Sequence, residues 1–155
     1  MGELVVVLID TGMRLGEALN MRYDDINYSS NLISIWFNKA DRPRSIPMTT
    51  RVKAILQRKQ LTASSIKVFG LKKDRAEWAW RCVREQLGLK HDKEFVIHAL
   101  RHTCATRLVN AGIDIYTVKE WLGHSSIQVT ERYSHLSPDR LAHAAKILDN
   151  IERVG

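Results

Sequence analysis

No stretch of these 155 residues approaches the roughly 18 consecutive apolar positions of a membrane-spanning helix. The opening run Leu4 to Ile9 is short and has no basic flank, so it is not a secretory leader either. Cysteine is scarce. Cys82 and Cys104 stand apart without CxxC spacing, which argues against a disulfide scaffold or a cysteine zinc site; both thiols are expected to be reduced and buried. The 3 Pro and 8 Gly are scattered, which excludes collagen-like and low-complexity chains. Acidic residues are the minority charge, at 17 against 24 basic, for a net charge of +7.

What is present, 45% hydrophobic and 26% charged residues, suits one soluble globular domain expected to work in the cytoplasm. The positive excess is local. Lys39 to Lys93 holds 15 basic and 5 acidic residues, whereas the remainder is net negative, so the middle of the chain is the candidate contact for a polyanion. A solvated basic face is the plain alternative.

The hydrophobic spacing predicts a mostly helical α+β domain with a small antiparallel β-sheet. Leu4 to Ile9 reads as strand or buried helix by period alone. The Thr11-Gly12 break and the helical spacing of Leu15, Ala18 and Leu19 favour two short helices meeting at a glycine. Asn31–Phe37 and Ser45–Met48 read as the arms of a basic-tipped hairpin, with Pro43 an unusual residue in its turn. Helices are expected from Thr49 or Thr50 to about Gln60, from Lys73 to Leu87, and from His98 to Ala111 with a buried Leu100-Cys104-Leu108 stripe. Others are expected from Ile115 to Leu122, from Ser126 to Tyr133, and from Ser137-Pro138 to Ile151, with a short extended piece at Val68-Phe69.

Several groups could do chemistry. Planar guanidinium groups such as Arg14 and Arg101 can grip the nonbridging oxygens of a phosphodiester without a metal. His98, Arg101 and His102 fall near one edge of their helix. The i,i+4 histidines also have zinc spacing, but Ala99 stands where HExxH has Glu, so no metal is assigned. Arg14 with Glu17 is equally an ordinary i,i+3 pair, and Tyr133 competes with Tyr23, Tyr28 and Tyr116 as a nucleophile. The four tryptophans read as packing residues, with Trp36 and Trp78 placed to meet sugar or base edges.

Taken together, Thr11-Gly12-Met13-Arg14-Leu15-Gly16-Glu17, Lys39 in a hairpin ending Ile46-Pro47, His98-Ala99-Leu100-Arg101-His102, and Leu122-Gly123-His124 nine residues before Tyr133 resemble the tyrosine recombinases of the phage integrase family. The resemblance covers nearly the whole chain. It implies a catalytic set of Arg14, Lys39, His98, Arg101, His124 and Tyr133, with Glu17 and His102 in support. Tyr133 would form a covalent 3′-phosphotyrosyl bond that conserves the energy of the broken one, needing neither ATP nor any cofactor. His98 would be the base, Lys39 would protonate the departing 5′ oxygen, and His124 would hydrogen-bond the phosphate.

The implied partner is double-stranded DNA, met by Arg42, Arg44, Lys72, Lys73 and Arg75. The full-length protein is expected to be a homotetramer on DNA and the isolated domain a monomer. The C-terminal segment from Ala142 to Ile151 would dock on a neighbour or fold back. The expected source is bacterial or phage. Arg14 comes so early that the amino-terminal DNA clamp of the family is expected to be missing, leaving 1–155 as a catalytic domain, and the Met-Gly start suggests an expressed fragment. Two alternatives stand beside this reading: a non-catalytic helix-turn-helix binding module at Asp114 to His135, and a relaxing enzyme like the type IB topoisomerases.

Overall fold

The computed structural model describes residues 1–36 and 43–133. Lys39, Arg42, the hairpin turn before Pro43 and the helix expected from Ser137 to Ile151 lie outside the described residues.

Helix α1, Gly2–Thr11, settles the ambiguous opening run. Leu4, Val7, Leu8 and Thr11 are its buried positions, a helical repeat that tertiary burial imposes on a β-branched sequence. The Thr11 hydroxyl donates to the Val7 carbonyl at 2.6 Å, so even the polar end of this face is satisfied inside the core. Gly12 closes the helix in the left-handed region at φ 64°. A Cβ there would lie 2.6 Å from Leu122 Cδ2, so glycine is required both by conformation and by the approach of another element.

Helix α2, Leu15–Asn20, follows at once and leads through a 3-10 turn, Tyr23–Asp25, into a three-stranded antiparallel sheet. Its strands are β1, Ile26–Asn27; β2, Leu32–Ile35; and β3, Arg44–Pro47. Ile33 pairs with both Ile26 and Ile46, which puts apolar side chains in register on the core face. Pro47 is tolerated because β3 is an edge strand. Val68-Phe69 forms no strand of its own; a single bridge joins Lys67 to Arg22, and Val68 N–H donates to Met21 O at 3.0 Å.

The other helices are α3, Thr50–Leu61, capped by the Thr49 hydroxyl; α4, Lys73–Gln86; α5, Ile97–Asn110; α6, Ile115–Leu122, capped by Asp114; and α7, Gln128–Glu131. Helix α1 is central, packing on α2, α3 and α5, while α5 continues onto α6 and β3 meets α6. The buried stripe of α5 differs from the expected one. Leu100 and Cys104 are buried, but Leu108 only partly so, and Arg101, Ala105 and Val109 form a second buried row four residues apart. Helix α5 therefore serves two clusters. Leu100 joins the large core of α1, the sheet and α3, whereas Ala105 and Val109 join a small cluster with Val118, Leu122 and Tyr133.

Cys104 is buried as expected, but Cys82 is half-exposed because it lies on the outer side of α4. Of the tryptophans, Trp36 and Trp78 are exposed, and Trp80 is buried with its indole N–H donating to Phe95 O at 3.2 Å. Among the described residues no helix is long and apolar enough to cross a membrane.

Candidate active site

Two left-handed glycines bracket the site. Gly12 ends α1 two residues before Arg14, and Gly123, at φ 68°, ends α6 immediately before His124. Arg101 on α5 ties both helix ends together: Nη1 donates to Gly12 O at 2.6 Å and Nη2 to Leu122 O at 2.7 Å. The orphan carbonyls of two helix C-termini thus find a buried cation, which favours them both as donor and as charge at the negative ends of the dipoles. A parallel tie runs from the Trp121 indole N–H to Thr11 O at 3.0 Å. Arg101 is only 3% exposed, so part of its donor capacity goes to architecture before any ligand arrives.

Arg14 is the residue just before α2, in extended conformation. Glu17 accepts the Arg14 backbone N–H at 2.8 Å, one half of a capping box, and pairs with Arg14 Nη1 at 3.3 Å. The Arg14 side chain remains 35% exposed while that of Glu17 is 2% exposed, so the carboxylate is fixed in the protein and the guanidinium reaches the surface. The plain i,i+3 pair and the surface arginine are therefore both present.

His98 stands in the first turn of α5 and meets the ring of His102 edge-on, with centroids 4.8 Å apart. The histidine that touches Tyr133 is His102: its Nδ1 is hydrogen-bonded to the Tyr133 hydroxyl. Burial, with the charges of Arg132 and Arg101, holds His102 below the usual histidine range; burial, then His102, Arg101 and Arg14, do the same to His98. Both rings are thus disposed to be neutral near pH 7 and able to accept a proton. Tyr133 is 6% exposed in the small cluster, and burial pushes its phenol above the ordinary value. Its hydroxyl therefore keeps its proton until a base takes it. His124 is oriented through Nδ1 by Thr130 Oγ1 at 2.8 Å, and Thr130 itself is fully buried.

The structure thus gathers Arg14, His98, Arg101, His102, His124 and Tyr133 around the meeting of α1, α5 and α6. An open cleft of about 700 Å³ runs from His98 and Arg101 past Met13 to Lys73 and Arg81 on α4. Lys72, Lys73 and Arg75 are exposed at the start of α4, with Arg75 stacked 4.4 Å over the Trp78 ring, so this end of the cleft offers cations and an aromatic face to a polyanion. Arg44 lies elsewhere. Its side chain is 8% exposed and paired with Glu17, not displayed to solvent as a DNA contact would be. Thr130 and Trp121 were missed as supporting residues, since neither sits in a charged motif. Among the described residues no cluster of three or more metal-ligating side chains exists. The helix-turn-helix alternative needs a second helix long enough to enter a groove, and α7 spans four residues.

A sequence profile described as "Phage integrase family" matches residues 3–140. The tyrosine recombinase XerA of Pyrococcus furiosus is 30% identical over 96% of this chain and 55% of its own length. That of Saccharolobus solfataricus is 34% identical over 89% of this chain and 46% of its own length. The chain therefore spans about half the length of the curated relatives it matches. Among solved structures, the catalytic domain of bacteriophage HP1 integrase aligns with TM-score 0.75 and 26% identity, covering 94% of this chain and 80% of that one. The Tn1549 transposon integrase in complex with circular intermediate DNA reaches the same TM-score, 0.75, at 22% identity, over 94% of this chain and 59% of that one, a likeness of fold. The mostly helical architecture with a small antiparallel sheet is the tyrosine recombinase catalytic fold.

Proposed function

The chain belongs to the phage integrase family, and on that premise we propose that residues 1–155 are the catalytic part of a site-specific DNA recombinase. The observation that carries this reading is the hydrogen bond between Tyr133 and the neutral-disposed His102, on the same helix as the Arg101 that ties together the segments bearing Arg14 and His124. A nucleophile, its proton acceptor and its anion-binding groups thus converge on one place.

In the proposed reaction the Tyr133 oxygen attacks a DNA phosphorus, the tyrosyl O–P bond forms and the bond from phosphorus to the 5′ oxygen breaks. The phenol proton passes to His102 Nδ1, the group it already meets. The resemblance would give that part to His98, whose ring instead backs His102 edge-on. Arg14, Arg101 and His124 hold the nonbridging oxygens as charge builds there, a contribution on the order of a hundredfold or more per donor. Lys39 supplies the proton for the departing 5′ oxygen. Rejoining runs the same steps backwards and needs neither metal nor ATP.

The substrate is double-stranded DNA, tracked by the cationic end of the cleft at Lys72, Lys73 and Arg75, and the working assembly is a homotetramer on DNA. Its place of work is the cytoplasm, on the chromosome of a bacterium or on phage DNA. In the relatives' plan the clamp that encircles DNA is a separate domain, so these residues alone bind with micromolar or weaker affinity at physiological salt, the range of phosphate-only contacts.

Nicked duplexes that trap cleavage give the test. The wild-type chain forms a denaturant-resistant protein–DNA adduct mapping to Tyr133, Tyr133→Phe forms none, and His102→Gln slows the adduct more than His98→Gln at pH 7. An adduct on another tyrosine, or one that survives Tyr133→Phe, overturns the assignment.

A further inference from the structure

Glu17 holds two arginines, and they are not equivalent. Its Oε1 receives Arg14 Nη1 at 3.3 Å and Arg44 Nη1 at 3.1 Å, while its Oε2 receives the Arg14 backbone N–H at 2.8 Å and Arg44 Nη2 at 2.8 Å. Arg44 is the closer, two-pronged partner and is almost wholly buried; Arg14 is the longer, single-pronged one and is exposed. A buried carboxylate facing one arginine alone would bind that arginine fully. Facing two, it is neutralised by the buried one, and the exposed one keeps its charge for a ligand.

The same Arg44 side chain reaches a second segment. Its Nε donates to Trp121 O at 3.3 Å, and it lies flat against Gly123, where a Cβ would come within 2.8 Å of Arg44 Cδ and Nη1. Gly123 is therefore demanded twice, by its positive φ and by the guanidinium lying against it. Arg44 thus touches, from β3, both the carboxylate that holds Arg14 and the turn that leads into His124. A lysine could not do all of this, because a single ammonium cannot span two carboxylate oxygens and a carbonyl in one plane.

We propose that Arg44 is a positioning residue for the strand-cutting reaction. It occupies Glu17 so that Arg14 is free to take the phosphate, and it fixes the distance between Arg14 and His124, while making no contact with DNA itself. This rests on the recombinase reading above and replaces the DNA-contact role expected for Arg44 from its place in the basic stretch.

The test compares wild type, Arg44→Lys, Arg44→Met and the double variant Glu17→Gln/Arg44→Met, which removes the buried charge pair together and guards against simple misfolding. Two quantities are read: DNA affinity across a salt series, and the single-turnover rate of adduct formation at saturating DNA. Amide hydrogen exchange reports β3 and residues 121–124 independently of chemistry. The expected result for Arg44→Met is affinity and salt slope within about twofold of wild type, with the saturated rate down roughly a hundredfold, the scale of a site misplaced by about an ångström. Arg44→Lys falls between, and exchange rises in β3 and at 121–124 together while α3 is unmoved.

A reduced salt slope with the saturated rate retained would instead make Arg44 a phosphate contact and overturn the proposal. So would a double variant that folds and cleaves at the wild-type rate. Absence of any adduct from the wild-type chain overturns the recombinase reading, and the positioning role with it. An adduct in wild type that forms equally fast in Arg44→Met overturns the positioning role alone.

Discussion

The large core and the small cluster share helix α5 but do different jobs. The large core joins α1, α2, the sheet, α3 and Leu100, and the residues that would hold a phosphate hang from its edge by backbone caps and buried ion pairs. The small cluster, Ala105, Val109, Val118, Leu122 and Tyr133, buries far less apolar surface and contains the nucleophile. Anion-binding groups are thus set in the stiff part of the molecule, and the group that must form and break a covalent bond is set in the part with less holding it. Arg101 lies on the seam, and its two hydrogen bonds reach one carbonyl from each side.

The strongest way to break that division is to cut the seam. Arg101→Met removes the donors for two buried carbonyls, Gly12 O and Leu122 O, and is expected to cost about 2–5 kcal/mol from unsatisfied buried acceptors. Adduct formation should be lost with it. Urea unfolding followed by both far-UV circular dichroism and Trp121 fluorescence checks this. The expected outcome is that the two probes cease to coincide, because the small cluster melts first once unmoored. Coincident transitions at unchanged midpoint would show that the seam carries no coupling.

Much of this arrangement is legible from residue types. Gly12 and Gly123 mark helix ends because only glycine sits easily at positive φ, and Asp114 and Thr49 mark helix starts by their side-chain acceptors. The order Arg14, His98, Arg101, His124, Tyr133 places the site before any coordinates. What pattern cannot show is direction. Arg44 belongs to a basic stretch and reads as a surface contact, yet a carboxylate from 27 positions away draws it inward. Likewise a four-residue stripe picked Leu108 for the core, whereas α5 packs on two sides and buries Val109 instead. Strand β1, two residues long, is too short for any alternation to register. His102 and His98 are equal in the sequence; only the packing of Tyr133 decides which one it meets.

A cavity in each region sharpens the comparison at smaller cost. Val109→Ala in the small cluster should cost on the order of 1–3 kcal/mol, and Leu56→Ala in the large core about 2–5 kcal/mol. The informative difference is where the loss spreads. Amide exchange in Val109→Ala should accelerate in α6 and α7 and leave α1 and α3 protected, whereas Leu56→Ala should lower protection throughout. Uniform acceleration in both variants would mean a single cooperative core.

Proton uptake gives the smallest effect and separates the regions by chemistry rather than packing. Burial first, then neighbouring arginines, hold His98 and His102 below their usual pKa, with Glu94 opposing this at His102. The unfolded chain therefore binds protons more readily at these positions than the folded one. Their contribution to stability is complete above the unfolded histidine value, about 6.5, and is lost as pH falls through the lower folded values. Melting temperature should thus decline on the acid side of neutrality, and His102→Gln should make that decline shallower. The adduct-forming rate should fall over the same range, because a protonated His102 cannot accept the Tyr133 proton. A rate that stays level while the melting temperature falls would detach proton acceptance from His102 and leave it only the task of holding the phenol in place.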